Sequence, residues 1–256
     1  MTAFVEGVLT TAAVALPGLR ERKKQQICLA ISEVATRLFI TRGFENVTIA
    51  EVVAAANVSV ATIFNYFASK EELFFDRGDE VAEEPSRIVR ERQPGESVVD
   101  ALRRAYIDAI RYHTGLFQSH IKPFVGAIEA SPSLKLRERV LYDQGQQRLA
   151  ATLAEQTHAA PDDATARVAA ALITSVQWML FWEFRARLLQ YQPEARIRAA
   201  LLRTAERAFE VLDAGLGDYG RLPHRRTPAP PATSASRPAS APRSTPASRS
   251  TTAKRR

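Results

Sequence analysis

Residues 44–77 read FENVTIAEVVAAANVSVATIFNYFASKEELFFDR, and the punctuation of this stretch decides the fold. Thr48 is followed three residues later by Glu51, the spacing of a capping box, with Val47 and Val52 flanking it as a hydrophobic staple. A short helix is predicted over about 48–55. Asn57 follows, one of the few non-glycine residues that accept a left-handed backbone, which suits a tight turn. Ser59 then caps a second short helix, over 59–66, with Val58 and Ile63 at staple spacing. Ser69 and Glu72 mark a third start. Two short helices joined by a three-residue turn form a helix-turn-helix, whose second helix can enter the DNA major groove.

Working outward, the pattern stays helical. Upstream, Ile27, Ile31, Val34, Ala35, Leu38 and Phe39 recur on one helical face, and Gly43 ends the run with Arg42 in its last turn. Cys28 sits beside that face as a packing residue. Downstream, the helix from Ser69 is expected to continue to about Arg92, where Pro94 and Gly95 break it. Further helices are predicted over about 96–114 and 117–130, from Pro132–Ser133 to about Thr157, from Pro161–Asp162, and from Pro193 onward. No alternating β-branched run long enough for a sheet appears, so the chain reads as all-α.

Charge is unevenly placed along the 256 residues. The chain holds 35 Lys and Arg against 28 Asp and Glu, a net of +7. Residues 221–256 carry nine of those cations and no acid, which leaves residues 1–220 at −2. The tail also carries half of the 14 prolines, and beyond Leu222 no large apolar residue. Such composition buries too little surface to offset the entropy of ordering, so residues 217–256 are expected to be a disordered basic tail. Residues 1–17 have the apolar content of a signal-peptide core but only Glu6 as an early charge, so residues 1–19 read as a flexible extension. A single Cys excludes a disulfide framework and points to the reducing cytosol.

The run from Leu38 to Leu73 resembles the TetR (AcrR-like) repressors through LFITRGFENVTIAEVVAAA, NVSVATIFNYF and SKEEL. The resemblance implies a DNA-binding domain over 20–76 and a helical effector-binding and dimerisation domain over 77–216. It also implies DNA roles for particular residues. Thr48, Thr62, Tyr66 and Lys70 match phosphate-holding positions, Ser59 caps the reading helix, and Val60 and Asn65 match positions that approach bases or adjacent phosphates. An Asn amide can pair with adenine, and a Val methyl can pack on a thymine methyl. Three departures stand out: Phe64 replaces the common Tyr and is read as packing, Asn57 stands where Gly is usual, and Val53 where a small residue is preferred. Residues 20–76 balance seven cations against seven acids. Four of the cations, Arg20, Arg22, Lys23 and Lys24, are expected on an arm ahead of the first helix. Electrostatic affinity per domain is then moderate, with dimerisation adding the rest.

In residues 168–184, 13 of 17 positions are apolar, so this helix is expected to be buried on nearly every side. Thr174, Ser175, Gln177 and Glu183 interrupt it, which disfavours a membrane span. With the last helix (Ile197, Leu201, Leu202, Ala205, Phe209, Leu212) it is the expected homodimer face. The aromatics Tyr106, Phe117, Phe124, Trp178, Phe181 and Trp182 are candidates to line an apolar effector pocket, with Tyr106, His113, His120 and Lys122 as polar contacts. His113 and His120 lack metal-ligand spacing, and no Gly-rich phosphate loop, Gly-x-Ser-x-Gly or Cys/His site is present, so neither catalysis nor a cofactor is expected. The reading is an all-α, homodimeric transcriptional regulator, a repressor released from a double-stranded DNA operator by a small apolar effector. The competing reading is a non-specific DNA-compacting protein led by its basic tail.

Overall fold

In a computed structural model, which describes residues 18–216 and 219–221, side-chain caps mark most of the helix starts. Ten α-helices are present among those residues: α1 Leu19–Arg42, α2 Ile49–Ala56, α3 Val60–Tyr66, α4 Lys70–Phe74, α5 Gly78–Arg90, α6 Val98–Tyr112, α7 Lys122–Ala130, α8 Pro132–Gln156, α9 Ala164–Leu189 and α10 Glu194–Leu216. Two short 3-10 turns, Gly115–Phe117 and Ser119–Ile121, separate α6 from α7. No strand occurs among the described residues, and the all-α class holds.

Local chemistry accounts for most boundaries. Thr48 and Glu51 close a reciprocal capping box on α2, and Ser97 with Asp100 does the same on α6. Ser59, Ser69, Ser131 and Asp163 each accept a backbone N–H at a helix start. Gly43 ends α1 at φ +85°, a conformation that disfavours a side chain.

Two expectations fail here. The helix beginning at Ser69 does not run to Arg92 but breaks between Phe74 and Gly78. Phe74 stacks on Phe124 at 4.3 Å while its neighbour Phe75 meets the same ring edge-on at 5.8 Å. Both rings thus close on one α7 residue at the point where the helix ends. Gly78 then starts α5 in close contact with α8, where a Cβ would lie 2.8 Å from Leu141 Cδ1. Second, Arg22, Lys23 and Lys24 lie exposed within the first turns of α1 and not on an arm before it, as straight-chain residues allow.

Two cores organise the helices. Ile31, Ala35, Phe39, Phe44, Val52, Ile63, Phe67, Leu73 and Phe74 fill the centre of α1–α4, and Ile128 and Leu134 of the α7–α8 corner complete it. The α1–α4 head therefore shares its core with helices beyond residue 77. The larger core runs through α5, α6, α8, α9 and α10, around Leu102, Ile110, Phe117, Leu153, Ile173, Phe184, Leu201 and Phe209.

The expectation that α9 is buried on nearly every side also fails within one chain. Val168, Leu172, Met179 and Trp182 are exposed along one stripe. By length and composition α9 is the one described helix that could cross a membrane unbroken, yet here it packs against α8 and α10 and carries the ion-paired Arg185.

The expected extension 1–19 lies almost wholly outside the described residues, as do residues 222–256 of the tail. Tyr219–Arg221, assigned to that tail by composition, is docked on the bundle. Arg92, itself buried, donates to the Gly220 carbonyl at 2.7 Å, and Arg221 donates to the Gly95 carbonyl at 3.0 Å. Tyr219 packs against the larger core.

Candidate nucleic-acid interface

Helices α2 and α3 meet at a bend of 102°, within the range of a helix-turn-helix. Asn57 makes the corner in the left-handed conformation (φ 53°, ψ 47°) and its turn is closed by the Val58 N–H donating to the Val53 carbonyl at 3.2 Å. Inward, Val52, Ile63 and Phe67 are buried in the head's core. Val53, bulkier than the family preference, is accommodated half-buried at the crossing.

Outward, α3 presents an uncharged surface. Val60 is 49% exposed and Phe64 52% exposed, with Ala61 and Asn65 also in solvent. Phe64 is therefore not a packing residue: with Ile63 and Phe67 already filling the core, the helical period turns Phe64 away from it. Asn65 is the only amide on α3, flanked by apolar groups suited to thymine methyls.

The other site residues differ in how free their polar atoms are. Ser59 Oγ accepts the Thr62 N–H at 3.0 Å and lies 2.7 Å from Thr62 Oγ1, so these hydroxyls share one hydrogen bond at the helix start. Tyr66 is half-buried and packs against the head's core. The Thr48 N–H and hydroxyl both donate to Glu51 Oε2, at 2.8 and 2.9 Å. Those bonds, the backbone one first and the Arg42 guanidinium next, hold the Glu51 carboxyl down at about 2. A phosphate approaching Thr48 thus meets a carboxylate already seated on the Thr48 N–H and hydroxyl. Lys70 turns inward: Nζ donates to the Phe44 carbonyl at 2.5 Å and sits 4.2 Å from the Phe44 ring centroid, with burial pushing its pKa down. As a phosphate contact it would have to leave that seat.

The six aromatics expected at an effector pocket fall into three places. Tyr106 and Phe117 face each other at 6.3 Å in the larger core. Trp178, Phe181 and Trp182 form a group with Tyr142 on the α8–α9 side, where Tyr142 and Trp178 lie 4.9 Å apart. Phe124 is at the head junction, stacked on Phe74. Phe181 also packs against the larger core that holds Tyr106 and Phe117, whereas Phe124 packs against the core of the head.

A small crevice of about 10 Å³ does open beside Ile110, Phe117, Phe184 and Leu201, with His113 and Arg198 at its polar side. Arg198 Nη1 is 3.1 Å from His113 Nε2 there. Burial pushes the nearby Tyr106 phenol up, opposed by a side-chain hydrogen bond from Gln177. Among the described residues no group of three or more His, Cys, Asp or Glu side chains is placed to hold a metal ion.

A helix-turn-helix with its second helix exposed and its first capped defines a DNA-binding head. Residues 31–76 match the sequence profile of the bacterial regulatory proteins of the tetR family. The match covers the α1–α4 head and does not extend to the helices beyond it. The curated TcmR, an HTH-type transcriptional regulator of Streptomyces glaucescens, is 31% identical over 90 residues, 35% of this chain. The match spans 40% of that relative's length. Among solved structures, a TetR-family transcriptional regulator of Mesorhizobium loti is 17% identical with a TM-score of 0.48, covering 75% of this chain and 98% of that one. GusR of Salmonella enterica is 20% identical with a TM-score of 0.47, over 74% and 94% of the respective chains.

Proposed function

We propose that this protein is a homodimeric transcriptional repressor that reads a near-palindromic operator with α3 of each subunit. The observation that carries the reading is the exposed, uncharged surface of α3, with Val60, Phe64 and Asn65 turned outward from a head whose core is otherwise closed. An uncharged reading helix gains little from phosphate attraction, so its contribution is to sequence preference. Two heads are needed because one head with balanced charge binds weakly. The exposed stripe of Val168, Leu172, Met179 and Trp182 supports a second copy of α9 as the partner. Half-sites would then lie about 34–36 Å apart, or a similar helical repeat.

The effector is a small apolar molecule that enters between α6, α9 and α10 at the Phe117–Phe184 crevice. A void of about 10 Å³ holds roughly one water, so the ligand must part these helices. That requirement supports a coupling to DNA release, since a ligand shifts an equilibrium only by preferring one state.

Selection of bound sites from random duplex DNA tests the reading. An enriched, two-fold-related motif that persists against excess competitor DNA is expected. Recovery of unenriched DNA would favour non-specific binding through the basic tail and refute operator recognition.

A further inference from the structure

The α7–α8 corner is a single residue, Ser131, and it does two things at once. Its Oγ caps α8 by accepting the Leu134 N–H at 3.2 Å, and it donates to Glu45 Oε1 at 2.5 Å. Ser133 Oγ donates to the same Glu45 oxygen at 2.7 Å. Glu45 belongs to the loop between α1 and α2, three residues before the Thr48 cap. The serine bonds, Ser131 first, hold its carboxyl below the usual range. The bundle therefore grips the reading head at the root of α2.

That corner is clamped from behind by one side chain. Arg185 of α9 is 1% exposed. Its Nη2 lies 2.7 Å from Glu129 Oε1 in the last turn of α7, and its Nη1 lies 2.7 and 2.8 Å from the two oxygens of Glu138 in α8. Lys135 adds a second cation to Glu129 at 3.0 Å. On α9 itself, Trp182 of the exposed stripe lies 4.6 Å from the guanidinium carbon, and Phe184 borders the crevice. One turn of α9 thus touches the outward face, the crevice and the corner that grips the head.

A buried ion triad is a poor source of stability. Desolvating the charges consumes most of the attraction, and apolar replacements of similar volume often do as well. Here Arg185 Nε is buried with no hydrogen-bond partner, so the triad is not even fully satisfied. What the triad does supply is geometry, because a planar fork bonded to two helices permits one angle between them.

We propose that Arg185 is a positioning residue that fixes the attitude of the DNA-reading head, by clamping Glu129 and Glu138 on either side of the Ser131 corner and so holding the serines on Glu45. The inference rests on the regulator reading above and names how that regulation is transmitted. A shift of α9, whether from the crevice or from the partner-facing side, moves Arg185, and Arg185 moves the corner.

Two variants of the full chain test it. Arg185→Met combined with Glu138→Gln removes two buried charges together, and Glu45→Ala cuts the other end of the chain of contacts at an exposed loop. The first readout is amide hydrogen exchange over residues 43–48. Both variants are expected to accelerate it by on the order of tenfold, with exchange in the α9 core at 169–173 unchanged after Glu45→Ala. The second readout is binding to the selected operator carrying one- and two-base-pair insertions between half-sites. Both variants are expected to tolerate the insertions better than the parent while binding an isolated half-site as it does. A purely structural role for Arg185 would lower global stability without broadening that spacing tolerance, and this result overturns the proposal. Should the double variant not fold, Glu45→Ala decides: parent-like exchange and parent-like spacing preference refute the clamp. If the parent selects no operator, the regulator reading falls, while the exchange measurement still decides whether the corner holds the loop.

Discussion

Leu172 offers a direct measure of whether α9 pairs with a second copy. Its side chain is 45% exposed in one subunit, between Val168 and Met179 on the same stripe. Burying a whole leucine side chain contributes about 1.5–3 kcal/mol, so covering the remaining half contributes roughly 1 kcal/mol. A two-fold interface uses each residue twice, and Leu172→Ala should therefore cost the dimer about 2 kcal/mol. That corresponds to roughly a thirtyfold rise in the dimer dissociation constant. Leu172→Glu should do more, because it also places like charges on the two sides of the seam. The assay is sedimentation velocity over a concentration series, with thermal unfolding of the same samples to exclude damage to the subunit. Since Leu172 points away from its own core, a dilute, monomeric variant should keep its helical signal. If both variants sediment like the parent at every concentration, α9 is not the dimer seam, and the operator geometry built on it fails as well.

Three other outcomes follow from particular contacts. Asn65→Ala and Phe64→Ala should relax base preference at one or two operator positions, whereas Thr62→Ala should weaken all sequences by a common factor; a common factor for Asn65→Ala would make it a phosphate contact. Asp76 is held above the ordinary aspartate range chiefly by burial, opposed by the Ser32 hydroxyl that donates to it at 2.7 Å. Its contribution to stability is thus fully present below about pH 4 and is lost as pH rises through the raised folded value. Asp76→Asn keeps an acceptor for Ser32 without that loss, so urea midpoints of variant and parent should diverge in the variant's favour from about pH 4 upward, and a gap independent of pH would refute the assignment. A chain ending at Arg221 keeps the contacts of Arg92 and Arg221 but loses the basic segment; it should bind operator with a shallower salt dependence, about 0.9 per lost phosphate contact, and unchanged base preference, while superimposable salt plots would leave the tail without a DNA role.

The helix-turn-helix was legible in the sequence because its signals act within four residues. Thr48 with Glu51, Ser59 with Thr62, and Asn57 in the left-handed region satisfy backbone groups next to themselves, and no distant residue is needed to specify them. The resemblance over Leu38–Leu73 rests on the same local pattern. Tertiary structure decided matters in which two distant segments compete for one space. The sequence LFFDRGDE continues a helix by its own propensities. It breaks where Phe74 and Phe75 close on Phe124, some fifty residues away, and where Gly78 approaches Leu141. Composition placed Tyr219–Arg221 in a tail, but Arg92 and the Gly95 carbonyl hold them. The resemblance led Phe64 to be read as packing, but the space was already filled by Ile63 and Phe67. Nor does any spacing announce that Glu45 is held by Ser131 and Ser133, or that Arg185 joins α7 to α8. Capping and periodicity are contests between a residue and its own backbone, and the chain settles them locally. Packing and buried charge are contests between partners far apart in sequence, which only the folded arrangement brings together.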